Sequence, residues 1–225
     1  MSIFSSIKDH GFRVTCAYAL HNVLRKFGWG DVHYYGFFSQ PLGDAALPRA
    51  YHAQIIEAPG PVAHLIGLPE GVARERCEAG AICVGTYYGE QLIGALWFSP
   101  LPFKEDEVNA LYDIGEGGRR DCCWDFGVYI DPEWRASRAF AAVWAAGARA
   151  MRDMGYVKSL SRISLYNEAS TAAHRRLGAR EFGRAWFIHV GHLQISISNL
   201  RPWLHISKKN GPAPVFDMEI RNSQS

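Results

Sequence analysis

The 225-residue chain is 48% hydrophobic and 13% aromatic, so it can bury a full core, and this composition excludes global disorder. Its formal net charge is only +2, and its basic residues occur in small local groups rather than one long run, so we expect no nucleic-acid partner. No apolar run approaches the roughly 18 residues of a membrane span, and Lys8, Asp9, His10 and Arg13 interrupt the N-terminal apolar stretch that a secretion signal would need. Five cysteines without CxxC spacing indicate reduced thiols and a cytoplasmic location.

The first fifty residues are predicted to form an extension that packs on the main domain. An imperfect helical stripe of apolar residues runs to Phe27, and Gly28 is a plausible helix stop. Aromatic residues then cluster between His33 and Phe38, which indicates a strand or a packed loop. We expect this extension to span residues 1–50, the main domain 51–200, and a polar surface tail 201–225.

The main domain alternates strand and helix patterns. Two strand-like runs flank Gly89-Glu90 within Ala81–Phe98, which is typical of a hairpin. A polar, glycine-rich stretch from Lys104 to Arg120 is predicted to be a loop. Further strands are predicted at 125–130, 159–166, 184–190 and 193–198, with helices at 69–78, after Pro132, and at 167–177.

The turn after Ile130 is a candidate anion site. Val128, Tyr129 and Ile130 suit a packed strand, and the sequence changes to a helical period after Pro132. Arg135 and Arg138 lie where that helix should begin. The first N–H groups of a helix lack partners and carry partial positive charge, so a phosphate would be stabilised there.

Two segments carry a resemblance to a known family. Ile130–Phe140 (IDPEWRASRAF) is similar to a strand end and pyrophosphate loop of the pattern [Q/R]xxGx[G/A], with Arg135 at the Gln/Arg position. Asn167–Ala179 (NEASTAAHRRLGA) is similar to the pattern Asn-xx-[Ala/Ser]-xxx-Tyr-xx-Leu-Gly-Phe. Together they resemble the GNAT superfamily, the acyl-CoA-dependent N-acetyltransferases. Arg138 and Phe140 replace the two loop glycines, and His174 stands at the tyrosine position. The resemblance covers roughly Ile82 to Ser198.

This resemblance implies an α+β fold of the α/β three-layer sandwich type, with a mixed, mostly antiparallel, splayed central sheet flanked by helices. It also implies transfer of an acetyl or other acyl group from acyl-CoA to a primary amine by direct attack. The donor would be acetyl-CoA or another acyl-CoA, and the acceptor a small-molecule or peptide amine. An acyl carrier protein as donor and a homodimer are further possibilities.

The resemblance also assigns site residues. Backbone groups of the predicted strand would bind the pantetheine arm, and the turn after it would bind the diphosphate. The predicted cofactor-binding residues are Val128, Tyr129, Ile130, Arg135, Ala136, Ser137, Arg138, Ala139, Phe140, Asn167 and Ser170. Asn167 is also a good helix N-cap, and Ser137 or Asp131 could cap the preceding helix.

His174 and Asp125 are the predicted catalytic residues. His174 would protonate the departing thiolate, because a histidine pKa lies near neutrality. Strict alternation places Asp125 on one face of its strand with Cys123, Gly127 and Tyr129, where it could act as a base. The catalytic carboxylate of the family would fall one residue away, on Trp124, unless the strand contains a bulge.

Other assignments of these residues stay open. Asp125 could instead be the buried partner of an arginine, a loop carboxylate (Glu107, Asp113 or Glu116) could be the base, or water could relay the proton. Glu105 and Asp106 could attract a cationic amine. His189 and His192 are three apart on a strand and therefore on opposite faces, so no metal site is predicted. Two functional alternatives remain: a longer acyl chain or carrier-protein donor, and a GNAT-like protein that binds ligands or acts as a scaffold without catalysis.

Overall fold

The computed structural model describes residues 12–44, 46–57, 63–64, 66–115, 121–135 and 138–218. The chain divides into two compact units that interleave along the sequence. The first unit comprises Met1–Gln40, Pro102–Glu116 and Ser161–Ser225, and the second comprises Pro41–Leu101 and Gly117–Leu160. The division of the sequence into an extension, a main domain and a tail, with boundaries at residues 50 and 200, stays a prediction.

The first unit is built on antiparallel strands beside one long helix. Its strands lie in the order β11-β10-β9-β1, followed by the C-terminal half of β8. The bounds are α1 Phe12–Lys26, β1 Gly30–Pro41, β8 Lys158–Ser164, α4 Glu168–Arg176, β9 Arg180–Val190, β10 Leu193–Ser198 and β11 Leu204–Lys208. A second, three-stranded sheet of the same unit has the order β12-β6-β5, with β5 Phe103–Lys104, β6 Leu111–Asp113 and β12 Val215–Asp217.

The second unit is a mostly antiparallel sheet with helices packed on it. Its order is the N-terminal half of β8, then β7-β4-β3-β2. The bounds are β2 Tyr51–Ile55, α2 Glu70–Glu78, β3 Ile82–Tyr88, β4 Gln91–Ser99, β7 Cys122–Ile130 and α3 Ala139–Asp153. Gly147 of α3 lies against Leu96 of β4, where an added Cβ would come within 2.9 Å of the Leu96 side chain, so a side chain there would require Leu96 to move.

The predicted fold class is confirmed: the protein is α+β, with mixed, mostly antiparallel strands and four helices among the described residues. The hairpin predicted around Gly89 is β3–β4, and the helix predicted to end at Gly178 is α4. In the part of the chain that the structure describes, no helix is long and apolar enough to cross a membrane.

The aromatic cluster, predicted as a strand or a packed loop, forms the strand β1, which pairs with β9 along Gly30–Ser39 and has Tyr34, Tyr35, Phe37 and Phe38 all buried. Aromatic side chains buried on both faces are typical of an internal strand. Two other segments differ from the sequence prediction. The predicted 104–120 loop contains β6, and the predicted polar tail contains β11 and β12, with Phe216 fully buried. These strands have three to five residues, too short for a sequence period to reveal.

Candidate functional site

Strand β7 contains a β-bulge at Gly127. The strand pairs antiparallel with β4, and its register shifts so that Val128 lies opposite Leu96 while Phe126 lies opposite Trp97. Gly127 is the extra residue, and its φ of 67° falls in the left-handed region that glycine adopts without strain. The bulge that the sequence comparison required is therefore present in this strand.

The bulge changes which side chains share a face. Asp125 lies opposite Phe98 and Val128 opposite Leu96, two residues apart on β4, so Asp125 and Val128 share a face. Tyr129 points to the other face, where it and Phe126 pack against the same buried cluster. The predicted grouping of Asp125 with Tyr129 is therefore wrong, because it assumed unbroken alternation.

Asp125 lies on the face that α3 covers, since Leu96 of the same face meets Gly147. Its side chain is buried, with 3% of the residue exposed. Burial on the helix-covered face leaves little room for a bulky amine to reach the carboxylate directly. The base role of Asp125 stays a prediction.

The edge of β7 away from β4 is paired only at its beginning. β7 and β8 run parallel and pair through Cys122–Lys158, Cys123–Ser159 and Trp124–Leu160. Among the described residues, the ladder has no further pair after Trp124. Gly127–Ile130 therefore present backbone groups on this edge that an extended ligand can bind in the manner of an added strand.

The turn after β7 is a short 3-10 helix followed by α3. The carboxylate of Asp131 accepts a hydrogen bond from the backbone N–H of Glu133 at 2.9 Å, so Asp131 caps the 3-10 helix Pro132–Trp134. Nε of Arg135 donates to the carbonyl of Ile130 at 3.2 Å, which folds this exposed side chain back toward the strand end. α3 begins only at Ala139, seven residues later than Pro132 suggested.

The start of α3 carries the other predicted cofactor residues. Arg138 occupies the N-cap position, is exposed, and makes no side-chain cap hydrogen bond. Ala139 is fully buried, so it can offer a ligand its backbone but not its side chain, and Phe140 is half-buried. Ala136 and Ser137 lie outside the described residues.

Arg76 of α2 is a site residue that the sequence did not reveal. Its guanidinium carbon lies 5.1 Å from the ring centroid of Phe126 and 5.5 Å from that of Trp97. A Cβ added to Gly127 would come within 3.3 Å of its terminal nitrogen. A cation held over two aromatic faces beside the bulge adds positive charge near the free edge of β7. No motif marks Arg76, because the contact depends on the folded position of α2.

The second sequence motif forms the start of α4 in the first unit. Oδ1 of Asn167 accepts a hydrogen bond from the backbone N–H of Ser170 at 3.0 Å, which confirms Asn167 as the N-cap. Asn167 is exposed and Ser170 is half-buried. The helix ends at Arg176, and Gly178 follows with a φ of 90°.

His174 lies on the buried side of α4. Its Nδ1 is 3.0 Å from Oε1 of Gln40, a side chain that is also buried. Burial lowers the pKa of His174 from its usual 6.5 to about 4, because the charged ring would lose its hydration. The imidazole is therefore neutral at neutral pH. When its Nδ1–H donates to Gln40, its Nε2 carries a lone pair.

Two of the acidic residues in the predicted loop, Glu105 and Glu107, are held by a polar network in the first unit. Glu105 is buried and accepts two hydrogen bonds from Arg162, at 2.7 and 2.8 Å. Glu107 accepts a hydrogen bond from the hydroxyl of Tyr35 at 2.5 Å and lies 3.1 Å from Arg162. Burial acts to raise the pKa of Glu107, but the charge of Arg162 and the Tyr35 hydrogen bond lower it overall. Glu105 is thus committed to an ion pair, and Glu107 is a weakened base; Glu116 lies outside the described residues.

The cysteines do not form a reactive pair. All five are free thiols, and Cys122 and Cys123 are both buried. Burial raises the pKa of the Cys83 thiol to about 12, so this thiol stays protonated at neutral pH. These environments favour the prediction of reduced, unreactive thiols.

Comparisons with known proteins identify a family. The sequence model described as "Acetyltransferase (GNAT) family" matches residues 52–179, more than half of the chain. No curated protein sequence matches. A functionally unknown conserved protein from Staphylococcus epidermidis shares the fold with a TM-score of 0.52 at 9% identity, over 76% of this chain and 66% of the other.

Two further solved structures are more distant in geometry. A GCN5-related N-acetyltransferase from Kribbella flavida has a TM-score of 0.48 at 13% identity, over 76% of this chain and 63% of that chain. An aminoglycoside 6'-N-acetyltransferase from Acinetobacter baumannii has a TM-score of 0.40 at 17% identity, over 57% and 89%. The chain spans less than two thirds of the length of the Staphylococcus and Kribbella proteins.

Proposed function

Because the chain belongs to the acetyltransferase (GNAT) family, we propose that it is an enzyme that transfers an acetyl group from acetyl-CoA to a primary amine. The amine nitrogen attacks the thioester carbonyl directly, the carbon–sulfur bond breaks, and the CoA thiolate leaves. The amine loses a proton and the thiolate gains one, so the proton balance closes without a further reactant.

The edge of β7 from Gly127 to Ile130 is the observation that carries this proposal. The β7–β8 ladder ends at Trp124–Leu160, and the bulge at Gly127 follows within three residues. A pantetheine arm contains two amide groups, and these can bond to backbone groups of Val128, Tyr129 and Ile130 as a neighbouring strand would. The partly buried Arg76 lies beside the same edge.

The diphosphate is assigned to the turn that follows. The N-terminus of the 15-residue helix α3 supplies backbone N–H groups and partial positive charge. The exposed guanidinium groups of Arg135 and Arg138 add charge-assisted hydrogen bonds. Arginine side chains thus take the place of the close backbone approach that glycines permit elsewhere in the family. Ala136, Ser137, Ala139 and Phe140 stay in the proposed contact set through the resemblance of the loop.

For α4, the family resemblance assigns Asn167 and Ser170 to the cofactor arm and His174 to the thiolate. Asn167 already holds the N–H of Ser170, so its amide nitrogen is the group that can meet a ligand. His174 is neutral at neutral pH and would have to receive a proton during turnover before it passes one to the thiolate. Asp125 or a water relay stays the proposed route for the amine proton.

Several finer predictions stand beside this proposal. A longer acyl chain, a carrier-protein donor, a homodimer and a cytoplasmic location remain expectations from the sequence. A non-catalytic GNAT-like role is the alternative from a different class, and the replaced loop glycines motivate it.

The test is turnover with a panel of amines. Purified protein is mixed with acetyl-CoA and each amine, thiol release is followed, and the acetylated product is identified by mass. The proposal expects thiol release that depends on both the amine and the protein. Absence of turnover across small-molecule amines, polyamines and peptide N-termini would favour the non-catalytic alternative.

A further inference from the structure

Three potential metal ligands from two paired strands meet in the first unit. Asp31 and His33 lie on β1, and His189 lies directly opposite Asp31 on β9. Nδ1 of His189 is 2.6 Å from Oδ1 of Asp31, and Nε2 of His33 is 3.2 Å from the same oxygen. One ligand atom from each residue lies within 4.8 Å of the other two. No sequence motif marks this group, because His33 and His189 are 156 positions apart.

The remaining nitrogen of His189 is held by a fixed acceptor. Its Nε2 lies 2.9 Å from Oε1 of Gln194. The orientation of the Gln194 amide is fixed by Asn109. Its Oε1 also accepts a hydrogen bond from the backbone N–H of Asn109 at 2.7 Å, and its Nε2 donates to the carbonyl of Asn109 at 2.8 Å, so exchanging the two atoms would break both bonds. Nε2 of His189 therefore carries the proton. In the neutral ring, the lone pair lies on Nδ1, which faces Asp31.

His33 is oriented in the same sense by Tyr35. The Tyr35 hydroxyl donates its proton to Glu107 at 2.5 Å, so its oxygen is the acceptor for Nδ1–H of His33 at 3.0 Å. Arg162, 3.1 Å from Glu107, fixes that carboxylate in turn. The lone pair of neutral His33 then lies on Nε2, again facing Asp31. Two imidazole lone pairs thus converge on one carboxylate, which is repulsive unless protons or a cation lie between them.

We propose that Asp31, His33 and His189 form a binding site for a divalent transition-metal ion of the Zn²⁺ class. The ligands are Nδ1 of His189, Nε2 of His33 and a carboxylate oxygen of Asp31, a donor set suited to Zn²⁺. Tetrahedral ligands about 2.0–2.1 Å from zinc lie about 3.4 Å apart, and the two observed gaps are within about 1 Å of that separation.

The environment of the group fits such an ion. A ligand histidine usually donates its other ring N–H to a fixed acceptor, and Gln194 and Tyr35 supply those acceptors here. The Asp31 side chain is 37% exposed and that of His33 is 24% exposed, so water can complete the coordination. A bound ion would tie β1 to β9 and stabilise the folded protein by mass action.

The test is Zn²⁺ binding by the full-length, tag-free protein, measured by equilibrium dialysis, with Co²⁺ absorption as a report of tetrahedral geometry. We expect one equivalent of Zn²⁺ and a raised thermal midpoint. Asp31→Asn, His33→Gln and His189→Gln should each weaken binding by about 100-fold. Tyr35→Phe keeps all three ligands and should weaken it by about 10-fold, because the orientation of His33 is lost.

Two variants serve as controls. His192→Gln removes an exposed histidine of the β9–β10 turn, and Cys16→Ser removes an exposed thiol; both should bind as the wild type does. Absence of stoichiometric Zn²⁺ binding by the wild type would overturn the proposal. It would also be overturned if Cys16→Ser lost Zn²⁺ binding while Asp31→Asn kept it. Far-UV circular dichroism identifies any ligand variant that fails to fold, and Tyr35→Phe then decides. The outcome is independent of acetyl transfer.

Discussion

At the scale of single residues, burial and hydrogen bonding decide what a side chain can do. Asn167 was predictable as an N-cap because capping depends only on the residues that follow it. The buried ion pair of Glu105 was not predictable, because its partner Arg162 is 57 positions away and nothing local distinguishes a buried glutamate from a solvated one. His174 stands at a motif position, yet its neutral state follows from burial against Gln40, which only the fold reveals.

The buried His174 makes the protein sensitive to acid. Its pKa is lowered to about 4 in the folded state, against about 6.5 when unfolded, so between these values the unfolded chain binds more protons. The contribution of neutral His174 to the free energy of unfolding is fully present above pH 6.5, and it falls by about 3 kcal/mol as the pH drops to 4. Urea unfolding at pH 7 and pH 4.5 should show a smaller loss for His174→Gln than for the wild type. His192→Gln, on an exposed turn, should keep the wild-type loss; equal losses in all three would contradict the assignment.

At the scale of elements, the sequence predicted the type of most strands and helices but not their phase or exact ends. The hairpin, β7, α4, β9 and β10 were readable because their apolar periods and glycine stops are local. The bulge at Gly127 was not readable as a conformation, since a glycine inside a strand pattern fits several structures. One extra residue moved Tyr129 to the face opposite Asp125, which shows how far a local irregularity can change a site assignment.

The bulge is predicted to support donor binding. Gly127→Ala places a Cβ at a φ of 67° and should cost about 1–2 kcal/mol of stability, with relaxation of the β7 edge. Gly89→Ala is a matched control, because Gly89 has a φ of 57° in a hairpin turn and open space around it. Both variants should lose similar stability. Only Gly127→Ala should lower kcat/KM for acetyl-CoA, by about 10-fold, or about 1.4 kcal/mol. Equal kcat/KM values would separate the bulge from donor binding.

At the scale of the whole molecule, the family and fold class were predictable and the strand order was not. Two motifs in the expected order carried the resemblance, and the family match over residues 52–179 bears it out. The place of β1 beside β9 could not be derived, because no local signal says which strand an N-terminal segment joins. That long-range pairing also assembles the Asp31, His33 and His189 group, so the proposed metal site was beyond the reach of sequence motifs.

We propose that acetyl-CoA binds at the end of β7 through Arg135, Arg138 and the start of α3. Calorimetric titration of acetyl-CoA into the full-length protein tests it most directly. The matched control is Arg74→Ala/Arg149→Ala, which removes two exposed arginines of the same unit, the second of them from α3 itself.

We expect the wild type to bind acetyl-CoA with a Kd between about 1 μM and 1 mM, the range of common enzyme KM values. Arg135→Ala/Arg138→Ala should weaken it about 10-fold, because each exposed charged contact contributes about 0.7 kcal/mol. The Arg74→Ala/Arg149→Ala control should change the Kd less than about twofold, because salt screens exposed charges that do not contact the ligand. No acetyl-CoA binding by the wild type, or an unchanged Kd in Arg135→Ala/Arg138→Ala, would contradict the account.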